Sequence, residues 1–264
     1  MSSHETPPIP ARTAPPLLPV GPDGKVHLGD DVRAVLLDID GVLNDHRTAA
    51  DAASYAWAST LPGWSLGPRE TAELWEALDR KHFTRYQHGE LSYPEQLHAR
   101  IRDFIPGAQG LDAEAAQERM DEYFAQYHAR WVGYDDARDL IARLSSAVER
   151  RRGAGGALRV AYLTNGNGVT QRDKLEAIGA LVEGWPVLAS AQLGASKPDP
   201  RVFALACERL GVEPAHAVMV GDDAWADIDG ATGAGLRCVH LRRSDESPRR
   251  AVATISTLRD LVID

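Results

Sequence analysis

Four short polar clusters adjoin apolar runs in this chain, and their residue types suggest one kind of chemistry. Asp38 and Asp40 flank Ile39 and precede Gly41. Two acids at i and i+2 just past a strand end, with a glycine next, can be turned toward one point. Such acids repel each other unless a cation or a shared proton intervenes. A hard divalent ion such as Mg²⁺ meets that need, because it takes oxygen ligands and keeps waters that a phosphate can replace. A loop with two solvated acids is the plainer alternative. Asp222, Asp223 and Asp227 form a second acidic cluster after the apolar residues 217–220. Asp223 is equally suited to capping a helix, and Asp227 to favouring a helix dipole.

Thr164-Asn165-Gly166 offers a hydroxyl and main-chain N–H groups at a strand-to-helix turn. That set can hold an anion or simply cap a helix. The adjoining Gly166-Asn167-Gly168 does not complete a dinucleotide-binding GxGxxG, because Gln171 stands at the third glycine position. Lys197 precedes Pro198, which restricts it to extended geometry. Its compact charge suits a phosphoryl group, though an isolated loop lysine is usually just exposed.

The elements that must carry these residues are short apolar runs. Residues 32–37, 159–163, 217–220 and 237–241 read as buried strands of a parallel sheet, and 186–190 as a weaker one. Helical spacing over 136–150, 170–178 and 200–210 separates them. The alternation predicts an α/β fold, a Rossmann-like doubly wound parallel sheet, in which ligands bind at the carboxyl ends of strands. Residues 46–131 lack strand signals and hold most of the aromatics, so they read as an inserted helical cap. The catalytic core is then 31–45 and 132–264. Residues 1–30, with seven prolines between Pro7 and Pro22, read as a disordered tail.

Composition narrows the function classes. The chain has 264 residues, 44% hydrophobic and 25% charged, as expected of a globular protein. A net charge of −9 argues against a nucleic-acid partner. Arg150-Arg151-Arg152, Arg242-Arg243 and Arg249-Arg250 are local and read as solvated surface. No stretch approaches the roughly 20 apolar residues of a membrane span. Cys207 and Cys238 form no CxxC pair, and a signal-peptide pattern is lacking, so a reduced cytoplasm is expected.

Taken together in chain order, DIDGVLND, LTNGN, SKPDP and GDDAWADIDGA resemble the four signature motifs of the haloacid dehalogenase-like (HAD) hydrolase superfamily. The insertion resembles the helical C1-type cap of its subfamily I. The TNG form followed by Gln171-Arg172-Asp173-Lys174-Leu175 is most similar to the branch of nucleotidases and N-acylneuraminate-9-phosphatases. The resemblance implies Asp38 as nucleophile and Asp40 as general acid and base. It implies Thr164, the Asn165 amide and Lys197 as phosphate-binding groups. It implies Mg²⁺ held by Asp38, Asp222 and the Asp40 carbonyl, with Asp223 or Asp227 acting through water or from behind. The implied activity is Mg²⁺-dependent hydrolysis of a small phosphorylated metabolite, a sugar phosphate or nucleotide, through an aspartyl-phosphate. A phosphomutase, and a non-catalytic phospho-accepting or binding protein, are the alternatives. Dehalogenases of the superfamily lack an acid at the place of Asp40. His82, Arg85, Tyr86, Gln87 and His88 are candidates for setting the substrate. Lys81, the lone lysine of the insertion, reads as solvated helix face. Trp225 is large for so polar a loop and is expected to pack on the cap or fill the core.

Overall fold

The computed structural model describes residues 17–243 and 252–263. A six-stranded parallel sheet is built from β2 (Ala34–Leu37), β3 (Arg159–Thr164), β4 (Val187–Ala189), β5 (Ala217–Gly221), β6 (Arg237–Leu241) and β7 (Ala253–Ile255). Its order is β4-β3-β2-β5-β6-β7. From β2 the chain moves outward through β3 and β4, then returns to place β5 on the opposite side. The β2/β5 boundary is therefore the topological switch point, where the loops after adjacent strands diverge and leave a crevice. Every residue of β2, β5 and β6 is buried, which explains why these strands read as unbroken apolar runs.

Helix α5 (Asp135–Gly153) leads into β3, α6 (Gly168–Ala177) lies between β3 and β4, α7 (Ser190–Leu193) and α8 (Pro200–Leu210) between β4 and β5, and α9 (Gly230–Gly233) between β5 and β6. α8 shows the local logic. Asp199 caps it by accepting from the Arg201 amide at 2.9 Å, Pro200 occupies its first turn, and Gly211 ends it in a left-handed conformation. Its apolar face (Val202, Phe203, Ala206, Leu210) packs in a core cluster with Leu36, Leu163 and Met219. Burial of each of the larger side chains, Val202, Phe203 and Leu210, contributes about 1.5–3 kcal/mol.

The chain divides into two compact units. Among the described residues the first comprises 17–42, 135–172, 181–243 and 252–263; the second comprises 43–134 and 173–180. The second holds α1 (His46–Ala58), α2 (Pro68–Gln87), α3 (Tyr93–Phe104) and α4 (Ala113–His128). Its core is aromatic: Phe104 stacks on Trp57 with ring centres 5.6 Å apart, and Tyr123 lies 4.1 Å from Trp75. The Arg100 guanidinium covers the Trp75 ring at 4.5 Å.

Three expectations change. The chain is folded before Asp31: β1 (Val26–Leu28) pairs in parallel with β8 (Leu261–Ile263), and Leu18 is buried. Proline content hid these residues, and a three-residue strand leaves little periodicity to read. Residues 173–180, assigned to the core by pattern, cluster with the helical unit. There the buried Lys174 ammonium lies 5.5 Å from the Tyr127 and Trp131 rings. The arginines are not all idle surface. Arg151 donates to the carbonyls of Gly29 and Val32, and Arg243 is built into the core unit as described below. Arg249-Arg250 and the first 16 residues lie outside the described residues. Both cysteines are free and buried. No helix among the described residues is long and apolar enough to cross a membrane.

Candidate active site

The loops after β2, β3 and β5, with the segment before α8, bring most of the flagged residues together. Asp38 follows β2, and its amide donates to the Val220 carbonyl at 3.0 Å, tying it to the neighbouring strand. Lys197 Nζ donates to Asp38 Oδ1 at 2.5 Å and to Asp227 Oδ1 at 2.7 Å. All three residues are buried. Carboxylate oxygens of Asp38, Asp222 and Asp227 all lie within 4.8 Å of one another. Two glycines make this approach possible. Gly41 has φ +84°, and a Cβ there would collide with the Asp222 carboxylate; a Cβ on Gly221 would collide with that of Asp227.

The electrostatics follow from this crowding. Burial pushes the Asp38 carboxyl up to about 7, against the pull of Lys197. Burial, and then the neighbouring Asp38 charge, raise Asp222 well above the usual carboxylate range. Burial likewise raises Asp227. Burial alone would lower the Lys197 ammonium, but the Asp227 and Asp38 carboxylates outweigh it and hold the charge on. When all three carboxyls are ionised, the single Lys197 ammonium leaves two negative charges uncompensated. An all-oxygen donor set with that surplus fits a hard divalent cation.

The remaining flagged residues take other positions. The Asp40 carboxylate stands outside the three-acid group; its Oδ2 accepts from Gln171 Nε2 at 3.1 Å. Asp223 does not join the group either. It is exposed, and its carboxylate accepts from the Trp225 and Ala226 amides at 2.8 Å, capping the π-helical turn Ala224–Asp229. The Asp223 amide in turn donates to Asp227 Oδ2. Of the two acids left open for the position behind the site, Asp227 is the buried one that meets Lys197. Thr164 Oγ1 accepts from the Gly166 amide at 3.1 Å, which leaves its hydroxyl hydrogen available to an anion. Asn165 uses its side chain as well: Oδ1 accepts from the Lys197 amide and Nδ2 donates to the Lys197 carbonyl, both at 2.8 Å.

Several residues with a place in this arrangement escaped the sequence reading. His240 Nε2 donates to the Asp222 carbonyl at 3.1 Å. Arg243 donates to the carbonyls of Gly41 and Val42 at 3.0 and 2.9 Å, and pairs with Asp136 at 2.7 Å. Asp136 also accepts from Thr257 and from the Leu258 amide. Gln171 enters the sequence reading as a missing glycine and as part of the stretch after the TNG turn, with no contact to Asp40 foreseen. Nothing in the residue type of a helical Gln or a C-terminal Arg signals such contacts, which depend on partners more than a hundred residues away.

The cap candidates are mostly engaged within their own unit. His82 is buried, with Nε2 2.9 Å from Asp103, and Lys81 is an exposed partner of the same carboxylate. Arg85 pairs with Glu90, and the Tyr86 ring packs on Phe83 and Tyr93. Trp225 is 46% exposed, so it does not fill the core.

Residues 32–235 match the family model described as haloacid dehalogenase-like hydrolase. The chain belongs to this hydrolase family. It is 38% identical over 194 residues to a phosphoserine phosphatase of Thermus thermophilus, covering 73% of this chain and 70% of the relative. It is 30% identical to a ribulose-1,5-bisphosphate 5-phosphatase of Halopiger xanaduensis, covering 81% and 86%. A (S)-2-haloacid dehalogenase of Pseudomonas sp. is 29% identical, over 89% of this chain and 98% of the relative. Among solved structures, the HAD-hydrolase YfnB of Bacillus subtilis superposes with a TM-score of 0.71 at 20% identity, covering 87% of this chain and 96% of that one. At that identity the likeness concerns the fold. The chain is thus a HAD-like hydrolase, and its relatives include both phosphatases and dehalogenases.

Proposed function

We propose that this HAD-like hydrolase is a Mg²⁺-dependent phosphatase of a small phosphorylated metabolite, acting in the cytoplasm. The observation that carries this reading is the meeting of three carboxyl groups, Asp38, Asp222 and Asp227, with the single ammonium of Lys197. With those carboxyls ionised, an anionic phosphate approaching Asp38 would be repelled unless a divalent cation balanced their charge. Asp38, Asp222 and the Asp40 carbonyl would hold Mg²⁺, which supplies charge neutralisation for the phosphoryl oxygens. Lys197 adds a fixed positive charge beside Asp38, and Thr164 Oγ1 and the Asn165 amide are the donors for the transferring group.

In this reading an Asp38 carboxylate oxygen attacks phosphorus. The P–O bond to the leaving group breaks, and the leaving oxygen takes the proton of Asp40. A water molecule then attacks the aspartyl-phosphate and gives a proton to Asp40. The Asp38–phosphorus bond breaks and inorganic phosphate departs. A halide leaving group needs no proton, whereas an alkoxide does. An acid at position 40, held by Gln171, therefore favours phosphate ester cleavage over the dehalogenase chemistry of some relatives. Relatives acting on phosphoserine and a sugar bisphosphate support the same substrate class.

The test is phosphate release from a panel of phosphorylated sugars, amino acids, nucleotides and an aryl phosphate, with and without Mg²⁺, beside Asp38→Asn. Mg²⁺-dependent release lost in the variant is the expected result. Halide release from a 2-haloacid, with no phosphate released from any ester, would overturn the reading.

A further inference from the structure

Gln171 occupies the first turns of α6, is 6% exposed, and turns its amide nitrogen onto Asp40 Oδ2. We propose that Gln171 is a positioning residue for Asp40, and that position 166 is glycine in order to admit it. The proposal rests on Asp40 being the acid and base of the phosphatase reading.

Three observations converge on this pair. The first is the contact itself, which joins the loop after β2 to the helix after β3. The second is Gly166. A Cβ there would run into the Gln171 amide nitrogen and would stand 2.9 Å from its Cγ. Gly166 is not among the glycines with positive φ, so its backbone does not ask for glycine. Space for the Gln171 side chain does. The third is the other end of the amide. Gln171 Oε1 is buried and has no hydrogen-bond partner among the described residues. A glutamine retained for stability alone would be expected to satisfy both ends, since a buried unpaired acceptor is unfavourable. The arrangement instead serves the nitrogen that faces Asp40.

Orientation is what Asp40 needs. Its side chain stands at the edge of the buried group, half-buried, and has to meet the leaving oxygen while Asp38 meets phosphorus. Displacement of an acid by an ångström can cost about 100-fold in rate. That cost falls on leaving groups that must be protonated. An aryloxide leaves with little help, whereas an alkoxide needs the proton in the transition state.

The test compares kcat/KM for p-nitrophenyl phosphate and for an alkyl phosphate turned over by the wild type, chosen from glycerol, serine and sugar phosphates, at saturating Mg²⁺. Gln171→Met keeps the shape and deletes the amide; Gly166→Ala keeps Gln171 and displaces it. Because kcat/KM covers the steps up to and including phosphorylation and leaves out dephosphorylation, the alkyl ester is expected to lose about 10–100-fold more than the aryl ester in both variants. The ratio is internal to each preparation, so partial unfolding scales both numbers alike. A second expected sign is a burst of nitrophenolate, since the misdirected Asp40 is also slow to activate water. An unchanged ratio in both variants, with a wild type that hydrolyses both esters through Asp38, would overturn the proposal and leave the phosphatase reading intact. A wild type inert to every phosphate ester would overturn both.

Discussion

Asn165 grips both main-chain groups of Lys197, accepting from its amide through Oδ1 and donating to its carbonyl through Nδ2, each at 2.8 Å. The loop after β3 thereby sets the position from which the Lys197 ammonium reaches Asp38. Asn165→Ala breaks both bonds without altering the Lys197, Asp38 or Asp227 side chains themselves. We expect kcat to fall about 10–100-fold, as for a misplaced catalytic group. The loss of two part-buried hydrogen bonds should cost about 1–3 kcal/mol of stability. Steady-state kinetics and urea denaturation of the same preparation check the two parts.

Lys197→Met removes the cation and keeps the volume. The Asp38 and Asp227 carboxylates would then face each other with no compensating charge. Breaking a buried pair from one side typically costs about 3–5 kcal/mol, and loss of a transition-state charge partner about 100–1,000-fold in kcat. Differential scanning calorimetry without Mg²⁺, and turnover with it, should show both losses. A variant as stable and as active as the parent would remove Lys197 from the account.

Metal binding should be coupled to protons. In the folded protein without metal, burial holds the Asp38 proton up to about 7, whereas the unfolded chain releases it near 3.8. Between those values the folded state binds more protons than the unfolded one, so stability of the metal-free protein should fall as pH rises. A divalent cation competes for the same oxygens and releases those protons. The rise in Tm on adding Mg²⁺ is therefore expected to grow with pH up to and just beyond about 7. Asp38→Asn should flatten that dependence. Melting curves with Mg²⁺ or EDTA across pH 5–9 test it.

Asp136 predicts the opposite sign at low pH. Although burial raises its pKa, hydrogen bonds from Arg243, Thr257 and the Leu258 amide outweigh that and hold it below 3.8. A depressed carboxylate contributes stability that is present above the unfolded value and is lost as pH falls through the folded one. The wild type should therefore lose stability below about pH 4 more steeply than Asp136→Asn. At neutral pH the variant should already be less stable, by about 3–5 kcal/mol, because Arg243 would lose its charge partner. Acid titration followed by circular dichroism separates the two.

Much of this architecture can be read from residue order, because strands buried on both faces write continuous apolar runs. β2, β3, β5 and β6 were visible for that reason, and the polar clusters after β2, β3 and β5 fall at the sheet's switch point. What stayed hidden depends on distant partners or on very short elements. β1, β7 and β8 have three residues each, and β1 is stabilised by pairing with the far end of the chain. The carboxylates of Asp38, Asp222 and Asp227 were grouped with Lys197 by motif, but the use of Asp223 as a cap was only one of two options. The Asn165 side chain, Gln171, His240, Asp136 and Arg243 carry no local sign of their contacts. Their types are ordinary for helices and surfaces, and only the fold brings them to the loops they hold.

The central claim is that Asp38 carries the phosphoryl group. The most direct measurement is acid quenching during turnover of a phosphate ester with Mg²⁺, followed by borohydride reduction and peptide mass spectrometry. The account predicts conversion of Asp38, and of no other aspartate, to homoserine, and no conversion when Mg²⁺ is chelated. Turnover with an unmodified Asp38, or with the phosphoryl group on another residue, would contradict it.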